Sequence, residues 1–294
     1  MNNKKALTLT VLSNITSNYG EGLGNITAVQ KIFRNRKTYA SRSKESLKNS
    51  IMTQSGMYDD LKVVVDGATQ KDVSKELNAS NCKALEGGYM NTSGNTTIRK
   101  SSFYVTDAIA CNEFISETRF HNNLHLARTF ARQNDLNLQK DASACGLMPY
   151  QYEYDKSIKC YSITIDLEMI GVDDNYNMEC NSEEKANRVI SILNAIENLS
   201  LIVKGNLDNA EPIFVVGGLS DRKTHYFENV VKVKDNKLSI NSELVDRIGK
   251  GFEVAFIAGD NFDNENEIVE KLEPISIVSF FEKLQAQVKK YYGV

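Results

Sequence analysis

Between Gly22 and Tyr58 the chain carries Lys31, Arg34, Arg36, Lys37, Arg42, Lys44 and Lys48, and Glu45 is the one carboxylate among them. Contact with a phosphate chain requires cations, hydroxyls, amides or main-chain N–H groups brought to one groove. This stretch and the residues just before it supply all four kinds. In order they are Asn18 and Tyr19, the run Gly20-Glu-Gly-Leu-Gly24, Asn25, then Arg34, Arg36, Lys37, Tyr39, Ser41, Arg42, Ser43, Lys44 and Lys48. Tyr19, Phe33 and Tyr39 are interleaved with the cations, and rings so placed can stack on bases; Phe33 reads better as core. A solvated helix face accounts for the charges alone equally well, so the reading needs support from other residues.

The remaining constellations are weaker. Gly20-x-Gly22-x-Gly24 follows a strand, but a dinucleotide fingerprint needs glycine or alanine at the sixth position and an acid about twenty residues on. Here the sixth position is Asn25 and the following segment is basic, so no cofactor is expected. The loop offers instead main-chain N–H groups that can approach a phosphate closely, as glycine permits. His121 and His125 have i, i+4 spacing, which would place both on one helix face. Asn122 stands where a zinc protease has Glu and no third ligand is nearby, so no metal is expected. No G-x-S-x-G elbow occurs, and none of the histidines, His225 included, has a nucleophile context. The cysteines Cys82, Cys111, Cys145, Cys160 and Cys180 form no C-x-x-C pair and read as reduced thiols, mostly buried or incidental. The chain is therefore expected not to be an enzyme.

These residues must be positioned by a small set of elements. Leu7, Leu9 and Val11 alternate with Thr8 and Thr10, a half-buried strand. The pattern turns helical from about Ala40 to Met52, with Leu47 and Ile51 on one face and Lys44 and Lys48 on another; Arg42 and Lys48 are expected on that polar face, where charge reversal would strip RNA and leave the fold intact. A second strand is expected at Ser102–Ala110, a third along Tyr161–Leu167, and a helix capped by Asn181 or Ser182 with the stripe Ala186, Val189, Ile190, Leu193 and Ile196. Pro212–Val216 reads as a buried strand ending at Gly217-Gly218. Beyond it lie two short strands around Asp235-Asn236, a short helix after Asn241, a strand at Phe252–Ala258 and a last helix near Pro274 that packs Ile277, Phe281, Leu284 and Val288 inward. Residues 59–100 and 111–156 are expected insertions, the second part-helical around Asn122–Gln133.

Without the insertions the order is strand, helix, strand, strand, helix, strand, the ferredoxin-like order of RNA-recognition folds. The fold class expected is α+β. The aromatic signature by which such sheets stack on RNA is absent, so the loop after the first strand and the following helix must do the gripping. The 294 residues have ordinary globular composition, a formal net charge of −3 and no apolar run of about 18 residues. The basic block is thus a local feature of an otherwise acidic chain, and a cytoplasmic location is expected.

At Ala6–Leu12, Asn18-Tyr-Gly-Glu-Gly22 through Gly24-Asn25, and Thr38-Tyr-Ala-Ser-Arg42 the sequence resembles the DevR-type backbone subunit of the type I-B CRISPR surveillance complex, Cascade, within the RAMP superfamily. Ser43-Lys-Glu-Ser-Leu-Lys48 is similar to the S-x-Q-x-L-K/R helix of that superfamily, with Glu45 in place of Gln. Ser102–Ala110 and Tyr161–Gly171 match later blocks, so the likeness spans about residues 6–220. The resemblance implies a modified RNA-recognition fold with large finger and thumb insertions: one palm over 1–294, a finger or web at about 59–100, a thumb at about 111–156, and a C-terminal extension, 219–294, packed on the palm. It implies a non-catalytic subunit of antiviral defence that binds CRISPR guide RNA (crRNA) as copies of itself in a helical filament, beside other Cascade subunits, and meets target DNA through the guide. It also implies no membrane partner. Matched positions make Asn18, Asn25, Lys37, Arg42 and Lys48 phosphate contacts, and the residues themselves add Tyr19, Arg34, Arg36, Ser43 and Lys44. Glu45 puts a contact there in doubt, since a carboxylate repels phosphate. Two alternatives stay open: a metal-dependent endoribonuclease of the type III backbone kind, for which only Glu21 and Glu45 precede Asp59, and a stand-alone RNA-binding regulator.

Overall fold

The computed structural model describes residues 4–19, 26–92, 96–203 and 205–294. Strand β1, Ala6–Thr16, is its axis; both its faces are buried apart from Asn14, as befits a strand with neighbours on either side and layers above and below. On one edge it pairs antiparallel with β8, Lys156–Asp166, in the register Ala6↔Asp166 to Thr16↔Lys156. On the other edge it pairs with β9, Phe214–Ser220, which carries β10, Glu253–Phe256. Beyond β8 lie β4, Phe103–Val105, and β5, Ala108–Ala110. Strand β3, Lys37–Arg42, pairs with β5, and β2, Lys31–Arg34, closes the edge.

Helix α1, Lys44–Gln54, joins the first strand region to β4, and α3, Ser182–Glu197, joins β8 to β9. The central order β9-β1-β8-β4/β5 with two crossover helices is the expected ferredoxin-like arrangement. Leu7, Leu9 and Val11 meet Ile165, Ile163 and Tyr161 across the ladder and pack under Leu47 and Ile51 of α1 and Val189 and Leu193 of α3. The last helix, α6, Ile277–Tyr292, adds Phe281, Leu284 and Val288 to the same core. Each such side chain contributes roughly 1.5–3 kcal/mol by leaving water.

Three expectations need correction. Ser102–Ala110 is two short strands, because Thr106 and Asp107 interrupt the ladder. The helix begins at Lys44, since Ser43 caps it and Ala40–Arg42 complete β3. Strand β9 runs through Gly217 and Gly218 rather than stopping there. At Gly217 a Cβ would stand 2.1 Å from the Thr8 carbonyl oxygen, so glycine there permits a close strand approach and marks no turn.

The second sheet face is covered by the chain's own tail. Leu12, Phe214, Val216 and Val254 pack against Phe227, Val231, Leu238 and Leu244, and Thr164 bonds His225 Nδ1 at 2.9 Å. The tail also holds the expected short strands around Asp235-Asn236 and helix α4, Ser242–Ile248. Helix α5, Glu265–Leu272, falls where no helix is expected. No helix among the described residues is long and apolar enough to cross a membrane.

Segment 59–100 folds as two hairpins with a small core of its own. Its anchor is Glu86, fully buried. One carboxylate oxygen accepts from Arg188 Nη1 at 2.8 Å and Gly171 N at 2.6 Å; the other accepts from Arg99 at 3.0 Å and from Ser102 Oγ. A buried carboxylate with this many donors ties the segment to α3. Segment 111–156 projects as an antiparallel hairpin, β6 (Thr118–Asn122) and β7 (Pro149–Glu153), with α2 (Leu124–Gln133) between them. Strand β7 also pairs with Ile26–Thr27 in parallel, joining this hairpin to the end of the glycine loop.

Candidate nucleic-acid interface

The basic block is a β-hairpin followed by a helix start. Arg34 pairs with Lys37, and Asn35 and Arg36 make the two-residue turn at φ 48° and 64°, the left-handed geometry that twisted hairpins favour. The turn throws Arg34, Arg36 and Lys37 into solvent. Phe33 stands among them at 73% exposure; it is not core, because an edge strand has nothing beyond it to bury the ring. Lys44 is exposed at the head of α1. Its neighbour Glu45 lies 3.6 Å from Lys44 Nζ, and Lys37 lies 3.1 Å from Glu113. Exposed pairs of this kind are worth little, about 0–1 kcal/mol, and yield to a stronger anion.

The other predicted contacts are held inside. Arg42 is 5% exposed at the end of β3; its Nε donates to Thr16 O at 3.0 Å and its Nη1 to Ser46 Oγ at 2.8 Å. Lys48 donates to Ser101 Oγ at 2.7 Å and lies over the Phe103 ring, and burial pushes its ammonium down to about 8. The expectation that both occupy a solvated polar face is therefore wrong: Arg42 is not on the helix, and each braces the fold. Asn18 Oδ1 accepts from Ser43 N at 2.9 Å, which ties the end of β1 to the α1 cap. Ser43 Oγ caps the Ser46 N–H, and Asp107 Oδ1 takes the Lys44 N–H at 2.7 Å. The head of α1 thus already holds a carboxylate. Tyr19 packs edge-on against Tyr152 with centroids 5.8 Å apart, and burial pushes its phenol up to about 12. Asn25 and the glycine run lie outside the described residues.

Beneath the departure point of that loop sits a network that sequence reasoning missed. Lys159, fully buried, donates to Ile15 O at 2.7 Å and pairs with Asp155 at 2.5 Å. Asp208 accepts from Thr16 N at 2.8 Å and pairs with Lys156 at 2.6 Å. Nothing in an alternating strand marks Lys159 as buried, since Ile15, which takes its ammonium from the neighbouring strand, lies far off in the chain. Between the edge hairpin and the tail lies a groove of about 530 Å³ lined by Arg34, Lys44, Asp107, Glu228 and Lys232 among others. Cys111 and Cys160 also line it; burial pushes both thiols up, and all five cysteines are free.

His121 and His125 do not share a helix: His121 is on β6, His125 on α2. His121 belongs to an aromatic group that was also missed, with Tyr150 and Tyr152. The period-two run Tyr150-x-Tyr152-x-Tyr154 was its signal in the sequence.

An α+β sheet in ferredoxin-like order, with one face under helices, the other under its own tail and cations gathered at one edge hairpin, defines a modified RNA-recognition fold. The family model described as "CRISPR-associated negative auto-regulator DevR/Csa2" matches residues 7–239, and the chain belongs to that family. Two solved chains share the architecture. One, described as "CRISPR RNA-guided surveillance complex, pre-nicking", has a TM-score of 0.65 at 10% identity over 97% of this chain and 99% of that chain. Another, described as "CRISPR RNA-guided surveillance complex", has a TM-score of 0.59 at 13% identity over 96% and 99%. At such identities the likeness is one of fold. No curated protein matches.

Proposed function

We propose that this protein is a non-catalytic backbone subunit of a Cascade-type complex. It lines up as copies along the spacer of a CRISPR guide RNA and presents the guide for pairing with invading DNA. The observation that carries this reading is the edge hairpin with its neighbour helix head. Arg34, Arg36, Lys37 and Lys44 are solvent-facing around an exposed Phe33, on a chain that is acidic elsewhere. Cations reaching a phosphate chain hold it without reading its sequence, and base pairing is left to do the reading. In this proposal Arg42, Ser43 and Asn18 tie the hairpin and the head of α1 to β1, Lys48 braces α1 from inside, segment 59–100 serves as finger and 111–156 as thumb. The neighbouring folds, named as parts of RNA-guided complexes, point the same way.

The test is to purify the full chain, identify the nucleic acid that accompanies it, and titrate a single-stranded RNA against salt. Four phosphate contacts predict a slope of log affinity on log salt near −3, about 0.7 per contact. Arg34→Glu, Arg36→Glu and Lys44→Glu together are expected to strip the RNA while thermal unfolding stays that of the wild type. Guide retention by that variant at about 0.15 M salt, or a wild type that binds no RNA, overturns the reading.

A further inference from the structure

The rings Tyr150 and Tyr152 follow one another on one face of β7, with centroids 6.4 Å apart and planes 20° from parallel. The His121 imidazole, across the ladder on β6, lies 5.5 Å from the first and 4.9 Å from the second, tilted by 19° and 22°. Those distances close a triangle and not a line. The imidazole centroid therefore lies to one side of the line joining the two phenol rings, and the residue is exposed. Two residues back on the same strand face, the Arg119 guanidinium lies 3.4 Å from the Tyr154 ring centroid, its side chain 40% exposed.

Arg119 and His121 are alternate residues on one face of β6, where backbone positions repeat at about 7 Å, and each packs its planar group on tyrosine. Successive unstacked nucleotides have a similar separation, and π-faces of this kind are how proteins hold splayed bases. We propose that Arg119 and His121 form a stacking platform for two successive bases of single-stranded RNA. The platform adjoins the basic edge: Tyr152 touches Tyr19, and Lys31 of the edge hairpin pairs with Glu153 of β7 at 2.5 Å. The proposal rests on the RNA-binding function above and adds to it a contact made with bases, not phosphates.

The experiment binds a single-stranded RNA carrying 2-aminopurine to the full-length protein. Wild type is expected to change the probe's fluorescence as the base leaves its neighbours for the platform. His121→Ala is expected to weaken binding by about tenfold and to abolish that change, with the salt slope untouched because no phosphate contact is lost. His121→Tyr restores a flat face and is expected to recover both. Normal affinity and normal fluorescence response in His121→Ala overturn the platform while leaving the phosphate-binding function standing. A wild type that binds no RNA overturns both. Loss of self-association in His121→Ala, with RNA binding and probe response unchanged, assigns the face to a protein contact and also overturns the proposal.

Discussion

Lys48 illustrates how a cation in a basic block can serve the fold. Its ammonium leaves water for Ser101 Oγ, the Gly87 carbonyl at 3.4 Å and the Phe103 ring, and desolvation, helped by Lys71 and Lys44, pushes it down to about 8 from 10.5. Between those two values the folded chain binds fewer protons than the unfolded chain, so stability rises with pH across that window. Wild type should therefore gain stability relative to Lys48→Met from about pH 8 to about pH 10; equilibrium unfolding of the two proteins along that range measures it. A difference independent of pH would mean that the ammonium is as well solvated folded as unfolded. The same desolvation argument separates Arg42, spent on Thr16 and Ser46, from Arg34 and Arg36, which remain available to an anion.

At the scale of elements, the β1–β9 pairing depends on one missing side chain. Gly217 faces the Thr8 carbonyl, and a Cβ would also meet Leu9 Cδ2 at 2.8 Å. Neither neighbour can yield: one is backbone in the central strand, the other lies in the packed core. Gly217→Ala is expected to destabilise the protein by roughly 3 kcal/mol, the upper range for overpacking, read as a lowered denaturant midpoint. An unchanged midpoint would show that β9 can slide away from β1. The edge hairpin behaves differently. Two-residue turns of this geometry favour Asn-Gly, and here Arg36 takes the second position at φ 64°. Without glycine the turn is hard to see, which is why no strand is expected over residues 31–39, the helix is expected to start as early as Ala40, and Phe33 reads as core.

At the scale of the molecule, the tail seals the sheet face that a plain RNA-recognition fold leaves open. In the proposed function contacts with RNA are thereby moved to the edge; the projecting hairpin and its helix hold apolar groups in solvent, Leu126 at 68% and Phe120 at 60%. The proposed filament requires copies to meet head to tail, through a contact that does not close on itself. The protein with its RNA should sediment as a large assembly of uniform size and break down when ribonuclease removes exposed RNA between copies. A monomer free of RNA would overturn that assembly.

What the sequence determined by itself was whatever depends on near neighbours. The two-residue alternation of Leu7, Leu9 and Val11, the Asn181 cap, and the apolar stripes of α3 and α6 are local periodicities, and each formed the element it predicts. The density of cations between Lys31 and Lys48 is likewise a property of the chain. Which of those cations face water was decided only by tertiary structure, because burial depends on what distant segments bring alongside. Ser101 and Phe103 turn Lys48 inward, Thr16 captures Arg42, and Ile15 takes up the ammonium of Lys159. His121 found its tyrosines in the same way, across a hairpin whose strands lie nearly thirty residues apart along the chain (Asn122↔Pro149).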